Sequence, residues 1–170
     1  METLVNKVAE SGIVTLDLAP FIPTGDIALF DLKPFLFREM ILNEKDYRAA
    51  LLTFDWKQYA DKHVAVMCTA DAVIPVWAYM LAASCIQPFA KSVFFGSAEE
   101  LTKVLAVQRI KEIDVAEYAD KRVVIKGCGD THVPEAAYVA VTERLRPVVR
   151  SLMYGEPCST VPIYKKPQKA

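Results

Sequence analysis

"DWKQYADKHVAVMCTADAVIPVWAYMLAASCIQPFAKSVFFGS", residues 55 to 97, returns without a gap as "DVAEYADKRVVIKGCGDTHVPEAAYVAVTERLRPVVRSLMYGE", residues 114 to 156. At this offset of 59 residues 13 of 43 positions are identical, among them all of YADK, Asp71 with Asp130, Pro75 with Pro134 and Gly96 with Gly155. An internal match of this length constrains architecture more firmly than local propensity does, because both copies must satisfy one packing pattern.

Each copy reads as a βαβ unit. VAVMC and VVIKG are short, rich in β-branched residues and without alternation, as suits strands buried on both faces of a parallel sheet. A helix follows each strand. In the second copy Val139, Leu145, Val148 and Val149 mix with Thr142, Glu143, Arg144 and Arg146, the pattern of a helix with one packed face. In the first, VIPVWAYMLAASCI is apolar almost all round and is expected to be the more buried helix. KSVFFG and RSLMYG then supply second strands, each closed by a glycine.

SAEELTKVLAVQRIKEIDV joins the copies. Ser97 and Glu100 have capping-box spacing, and Leu101, Val104, Leu105 and Ile110 form a stripe, so a helix is predicted there. Strands alternating with helices of this length predict right-handed crossovers and a parallel sheet. The expected fold is α/β: a three-layer, largely parallel sheet built from both βαβ units, 55–97 and 114–156, within a single domain over 1–170.

Residues 1–54 read as an N-terminal strand/helix extension. GIVTLDL and DIALFDLKPFL suit two strands joined through APFIPTG. Asn43 can cap a helix EKDYRAALLTF with Asp46 at its third position.

Composition excludes several classes. With 20 basic and 21 acidic residues, net charge −1 and no like-charge run besides YKKPQK, nothing suggests a nucleic-acid binder. The apolar runs fall far short of the roughly 18 residues of a membrane span, and METLVNKVAESGIV has no basic segment followed by an apolar one, so the expected location is the cytoplasm. There the four cysteines are expected as thiols or metal ligands, not disulfides.

In one parallel sheet the residues just beyond the strands share a carboxyl edge, where open α/β folds bind ligands. Cys68 ends the first strand, Cys128 the third, and Cys158 follows the fourth, so all three are expected at that edge; Cys85 falls in an apolar helix and reads as core. Asp71 and Asp130 precede their helices, where an aspartate usually caps. His132 has no histidine counterpart, since Val73 stands in the first copy; His63 is at the opposite edge and is assigned nothing. Pro75 and Pro134 suit first turns.

The stretches SGIVTLDL, TADAVIPVWAYM, DKRVVIKGCGD, VPEAAYV and above all MYGEPCSTVPIYK resemble the small bacterial proteins grouped as domain of unknown function 2480, and the resemblance covers nearly the whole chain. It implies a cytoplasmic α/β protein without an established activity. Members of that family occurring beside iron–sulfur assembly components of the sulfur-mobilisation system would imply those proteins as partners.

Three functions compete. The first is a zinc or iron site, or an iron–sulfur assembly accessory, with Cys68, Cys128 and Cys158 as thiolate ligands and Asp71, Asp130 or His132 completing coordination. The second is a thiol enzyme or sulfur carrier. Here Cys128 is the nucleophile, its pKa lowered by the following helix N-terminus, with His132 as base and Cys158 as resolving thiol. The third is a non-catalytic binding or adaptor protein with structural cysteines, forming a homodimer through a sheet edge or aromatic surface.

Overall fold

VAVMC and VVIKG fall in different sheets in the computed structural model, which describes residues 12–127, 129–156 and 158–167. The strands are β1 Ile13–Leu16, β2 Ile27–Asp31, β3 Leu36–Phe37, β4 Ile41–Leu42, β5 His63–Met67, β6 Ser92–Phe95, β7 Arg122–Ile125, β8 Ser151–Glu156 and β9 Ser159–Lys165. Among the described residues four α-helices occur, α1 Glu44–Leu52, α2 Val76–Ile86, α3 Ala98–Lys111 and α4 Glu135–Leu145. None is long and apolar enough to cross a membrane. The contacts divide the chain into two units, Pro23–Thr102 and Met1–Ile22 with Lys103–Ala170.

In Pro23–Thr102 the sheet runs β2-β5-β6, all parallel, with Ile27 beside His63 and His63 beside Ser92. Val64, Ala65 and Val66 are buried, as the absence of alternation in the strand requires. Phe30 anchors an aromatic cluster, its ring centroid 5.4 Å from Phe35, 5.5 Å from Phe54 and 5.5 Å from Trp56. Tyr47 is fully buried and spends its hydroxyl on the Ala78 carbonyl at 3.1 Å. Such a partner is what lets a phenol enter a core. Asn43 caps α1 by accepting the Asp46 N–H.

In the other unit the order is β1-β7-β8-β9, with β9 antiparallel to β8 and the rest parallel. Its core gathers Leu18, Val123, Ile125, Leu145 and Leu152. At the start of α3, within Pro23–Thr102, the expected capping box is present: Ser97 Oγ accepts the Glu100 N–H at 3.1 Å and Glu100 Oε2 accepts the Ser97 N–H at 2.8 Å. Leu101, Leu105 and Ile110 of the stripe are buried, while Val104 is exposed.

The largely parallel α/β class holds, but the single sheet does not. Both hydrogen-bonding sides of β5 are taken by β2 and β6, and those of β7 by β1 and β8, so neither central strand can pair onward. The N-terminal stretch therefore supplies one strand to each sheet, and its two strands do not form a hairpin. The expectation that the nearly all-apolar helix would be the more buried one is also corrected: α2 buries Ala78, Ala82 and Ile86 but exposes Val76 and Met80, while α4 buries Ala137, Ala140, Val141 and Leu145.

The element bounds of the two units keep the 59-residue offset, with β5 and β7 starting at 63 and 122 and α2 and α4 at 76 and 135. A second match recurs at an offset of 14 residues: IVTLDLAPF (13–21) against IALFDLKPF (27–35). In both, the aspartate at the carboxyl end, just after β1 and last in β2, accepts the N–H two residues on, Asp17 from Ala19 at 2.8 Å and Asp31 from Lys33 at 2.9 Å. A short 3-10 turn carrying the proline follows.

Candidate functional site

A cavity of about 610 Å³ opens at the carboxyl ends of β1, β7 and β8, within one unit. Three strand ends build its polar side. Asp17 follows β1, Lys126 follows β7, and Tyr154 lies near the end of β8. Helix α4 contributes Glu135, Tyr138, Val139 and Thr142, and β9 crosses the site with Ile163. β9 runs antiparallel to β8, and Ile163 is its residue in the cavity wall.

Lys126 Nζ donates to Asp17 Oδ2 at 3.1 Å. Asp17 lies below the ordinary aspartate range first because its carboxylate accepts the Ala19 N–H, then because of Lys126. Lys126 is held above the ordinary lysine range, first by its hydrogen bond to Asp17, with further negative charge from Glu156 and Asp130. In this setting the Lys126 ammonium is placed as a cationic hydrogen-bond donor.

Tyr154 donates its hydroxyl hydrogen to the Gly127 carbonyl at 3.3 Å. Its ring packs edge-on against Tyr138, with centroids 5.6 Å apart. A Cβ on Gly127 would stand 2.8 Å from Tyr154 Cζ, so the bare backbone is what admits the ring. Around the mouth Val139 and Ile163 are 70% and 51% exposed, an apolar rim beside a charged floor.

The residues expected to form the site are distributed unevenly. His132 lines this cavity and is exposed; Asp130 is exposed and acts on Lys126 through its charge. Cys158 is an exposed thiol in the turn between β8 and β9. Cys128 lies outside the described residues, although its neighbours Gly127 and Gly129 both line the cavity.

Cys68 and Asp71 belong to the other unit, beyond β5 of the other sheet. The single carboxyl edge on which three cysteines were to meet is therefore two edges. Cys68 is half-buried, with Sγ 3.8 Å from the Ala70 carbonyl, and Asp71 is exposed. Cys85 is a half-buried thiol packed against that unit's core. Neither Asp71 nor Asp130 caps its helix; Pro75 and Pro134 occupy the cap positions, without a side-chain cap bond. Among the described residues no group of three or more histidine, cysteine, aspartate and glutamate side chains is placed to hold one metal ion.

Sequence reasoning missed Asp17, Lys126, Glu135 and the two tyrosines as one site. The signals were present in part: the recurring DLxPF marks Asp17, and a lysine directly after the apolar run VVI marks Lys126. Their meeting, 109 positions apart, depends on β1 pairing with β7.

Nothing among curated proteins or solved structures matches the chain. The family model described as Protein of unknown function (DUF2480) matches residues 2–166, and the chain belongs to that family.

Proposed function

We propose that this protein binds a small organic acid or carbonyl compound in the cavity at the carboxyl edge of β1, β7 and β8. The observation that supports it is the meeting of the Lys126 ammonium, held by Asp17 at 3.1 Å, with an exposed apolar rim of Val139 and Ile163 over a concavity of about 610 Å³. Pockets of this size with few convergent polar groups, at strand carboxyl ends, are where open α/β sheets take ligands. An ammonium has three N–H donors, and Asp17 accepts one of them. The others suit an acceptor oxygen of the ligand, whose hydrocarbon part lies against Val139, Ile163 and the Tyr138–Tyr154 pair.

The test is ligand-observed NMR of the full chain against a panel of aliphatic and aromatic carboxylates and ketones. Binding by at least one member, weakened tenfold or more in Lys126→Met, is expected. Absence of binding across the panel, or equal binding by Lys126→Met, overturns the reading.

A second reading, thiol chemistry by Cys128, is supported by the placement of Gly127 and Gly129 in the cavity wall. Bound ligand should then slow alkylation of Cys128 but not of Cys85. Repeating the alkylation after adding zinc or ferrous iron measures whether the same thiol carries a metal. Equal Cys128 rates under all conditions remove both versions.

A further inference from the structure

Arg122, Ser151 and Lys165 form one row across three neighbouring strands. Arg122 on β7 is the register partner of Ser151 on β8, and Ser151 that of Lys165 on β9. Cross-strand partners project from the same face of a sheet. Beside the row the Arg150 carbonyl accepts the Lys166 N–H at 2.9 Å, which brings those two residues together as well.

The result is a groove of about 380 Å³ lined by Arg122, Arg150, Ser151, Tyr164, Lys165 and Lys166, with Met153 and Pro162 completing it. Half of its lining residues are cations, and among the described residues no acid lines it. Asp120 pairs with Lys166 from outside at 3.5 Å, and the Arg146 guanidinium stacks over the Tyr164 ring at 4.7 Å. The groove lies at the amino ends of β7 and β8, whereas Lys126 and Tyr154 sit at or beyond the other ends of the same strands; the two concavities share Met153 but none of their charged residues.

In a chain of net charge −1 the groove gathers four cations around one hydroxyl. Arg122 and Lys165 stand on β7 and β9 with Ser151 of β8 between them, and Arg150 and Lys166 flank the row at the strand ends. Strands stand about 4.8 Å apart, so the Arg122 and Lys165 backbones are separated by roughly 10 Å with the Ser151 hydroxyl between them. That span suits one or two phosphate groups held by an arginine fork on one side and an ammonium on the other. It is too short for a run of nucleic-acid backbone.

We propose that this groove is a binding site for a phosphate-bearing small molecule. Inorganic pyrophosphate is the probe, titrated calorimetrically into the full chain at low ionic strength. Saturable one-to-one binding that weakens with added salt is expected, together with NMR shifts at Ser151 and Tyr164. Arg150→Gln with Lys165→Gln, both exposed positions, should weaken binding at least tenfold, while Lys126→Met should bind as the wild type does. Absence of saturable binding, or equal binding by the double variant, overturns the proposal. So does loss in Lys126→Met, which would place the anion in the cavity. A short single-stranded RNA that displaces pyrophosphate at a lower concentration would replace the small-molecule assignment with a nucleic-acid one.

Discussion

The ring of Tyr154 occupies the space that a side chain on Gly127 would need, with Cζ 2.8 Å and Oη 2.9 Å from an ideal Cβ at that position. The two residues are 27 apart in sequence and are joined again by the hydrogen bond to the Gly127 carbonyl. Gly127→Ala must therefore push the phenol aside. Because Tyr154 is 39% exposed, the ring can yield, and the expected loss is about 1 kcal/mol or less. The loss should vanish in a Tyr154→Ala background, as a double-mutant cycle by urea denaturation would show. Gly129→Ala, with open space around it, should cost almost nothing.

Gly155 is a different case. Its φ is +122°, and an added Cβ would meet the Ser159 backbone carbonyl at 2.5 Å. Neither the backbone angle nor a strand carbonyl can yield as a ring does. Gly155→Ala should destabilise by about 2 kcal/mol or more, read as a lower urea midpoint, and should disturb β8–β9 pairing.

The Asp17–Lys126 pair fixes a sign for pH dependence. The Asp17 carboxyl is lowered in the folded chain, so its contribution to stability is complete above the unfolded-state value near pH 4 and is lost as pH falls through the folded value. Lys126 is raised, so its contribution is present below the unfolded lysine value and is lost only as pH rises through the folded one. Carboxyl-detected NMR should place the Asp17 midpoint below an ordinary aspartate. In Lys126→Met it should move up but stay low, because the Ala19 N–H remains. A midpoint unchanged by the substitution would contradict the pairing.

Among the described thiols Cys158 should be alkylated first, since it is exposed, and Cys85 last. Burial pushes the Cys85 thiol upward, so its rate should climb only above the ordinary thiol range. Mass spectrometry of peptides after timed alkylation separates them. Faster labelling of Cys85 than of Cys158 would contradict the packing of α2.

The sequence by itself determined the elements and their class. Apolar, β-branched runs gave VAVMC and VVIKG as buried strands, SxxE spacing gave the start of α3, and Asn43 gave that of α1, because these signals lie within a few residues of one another. It also carried the DLxPF turns, where the aspartate bonds only two residues ahead. Tertiary structure alone decided the partners of each strand. Pairing of β1 with β7 and β2 with β5 made two sheets in place of one, set Cys68 and Asp71 beyond a strand of one sheet and Asp130 and His132 beyond a strand of the other, and brought Asp17 to Lys126. The same holds for the basic groove: Arg122, Arg150 and Lys165 are scattered along a nearly neutral chain and become a concentration of charge only when β7, β8 and β9 lie side by side. Strand pairing is set by which backbone edges remain unfilled once every strand has folded, and that information is in no local stretch.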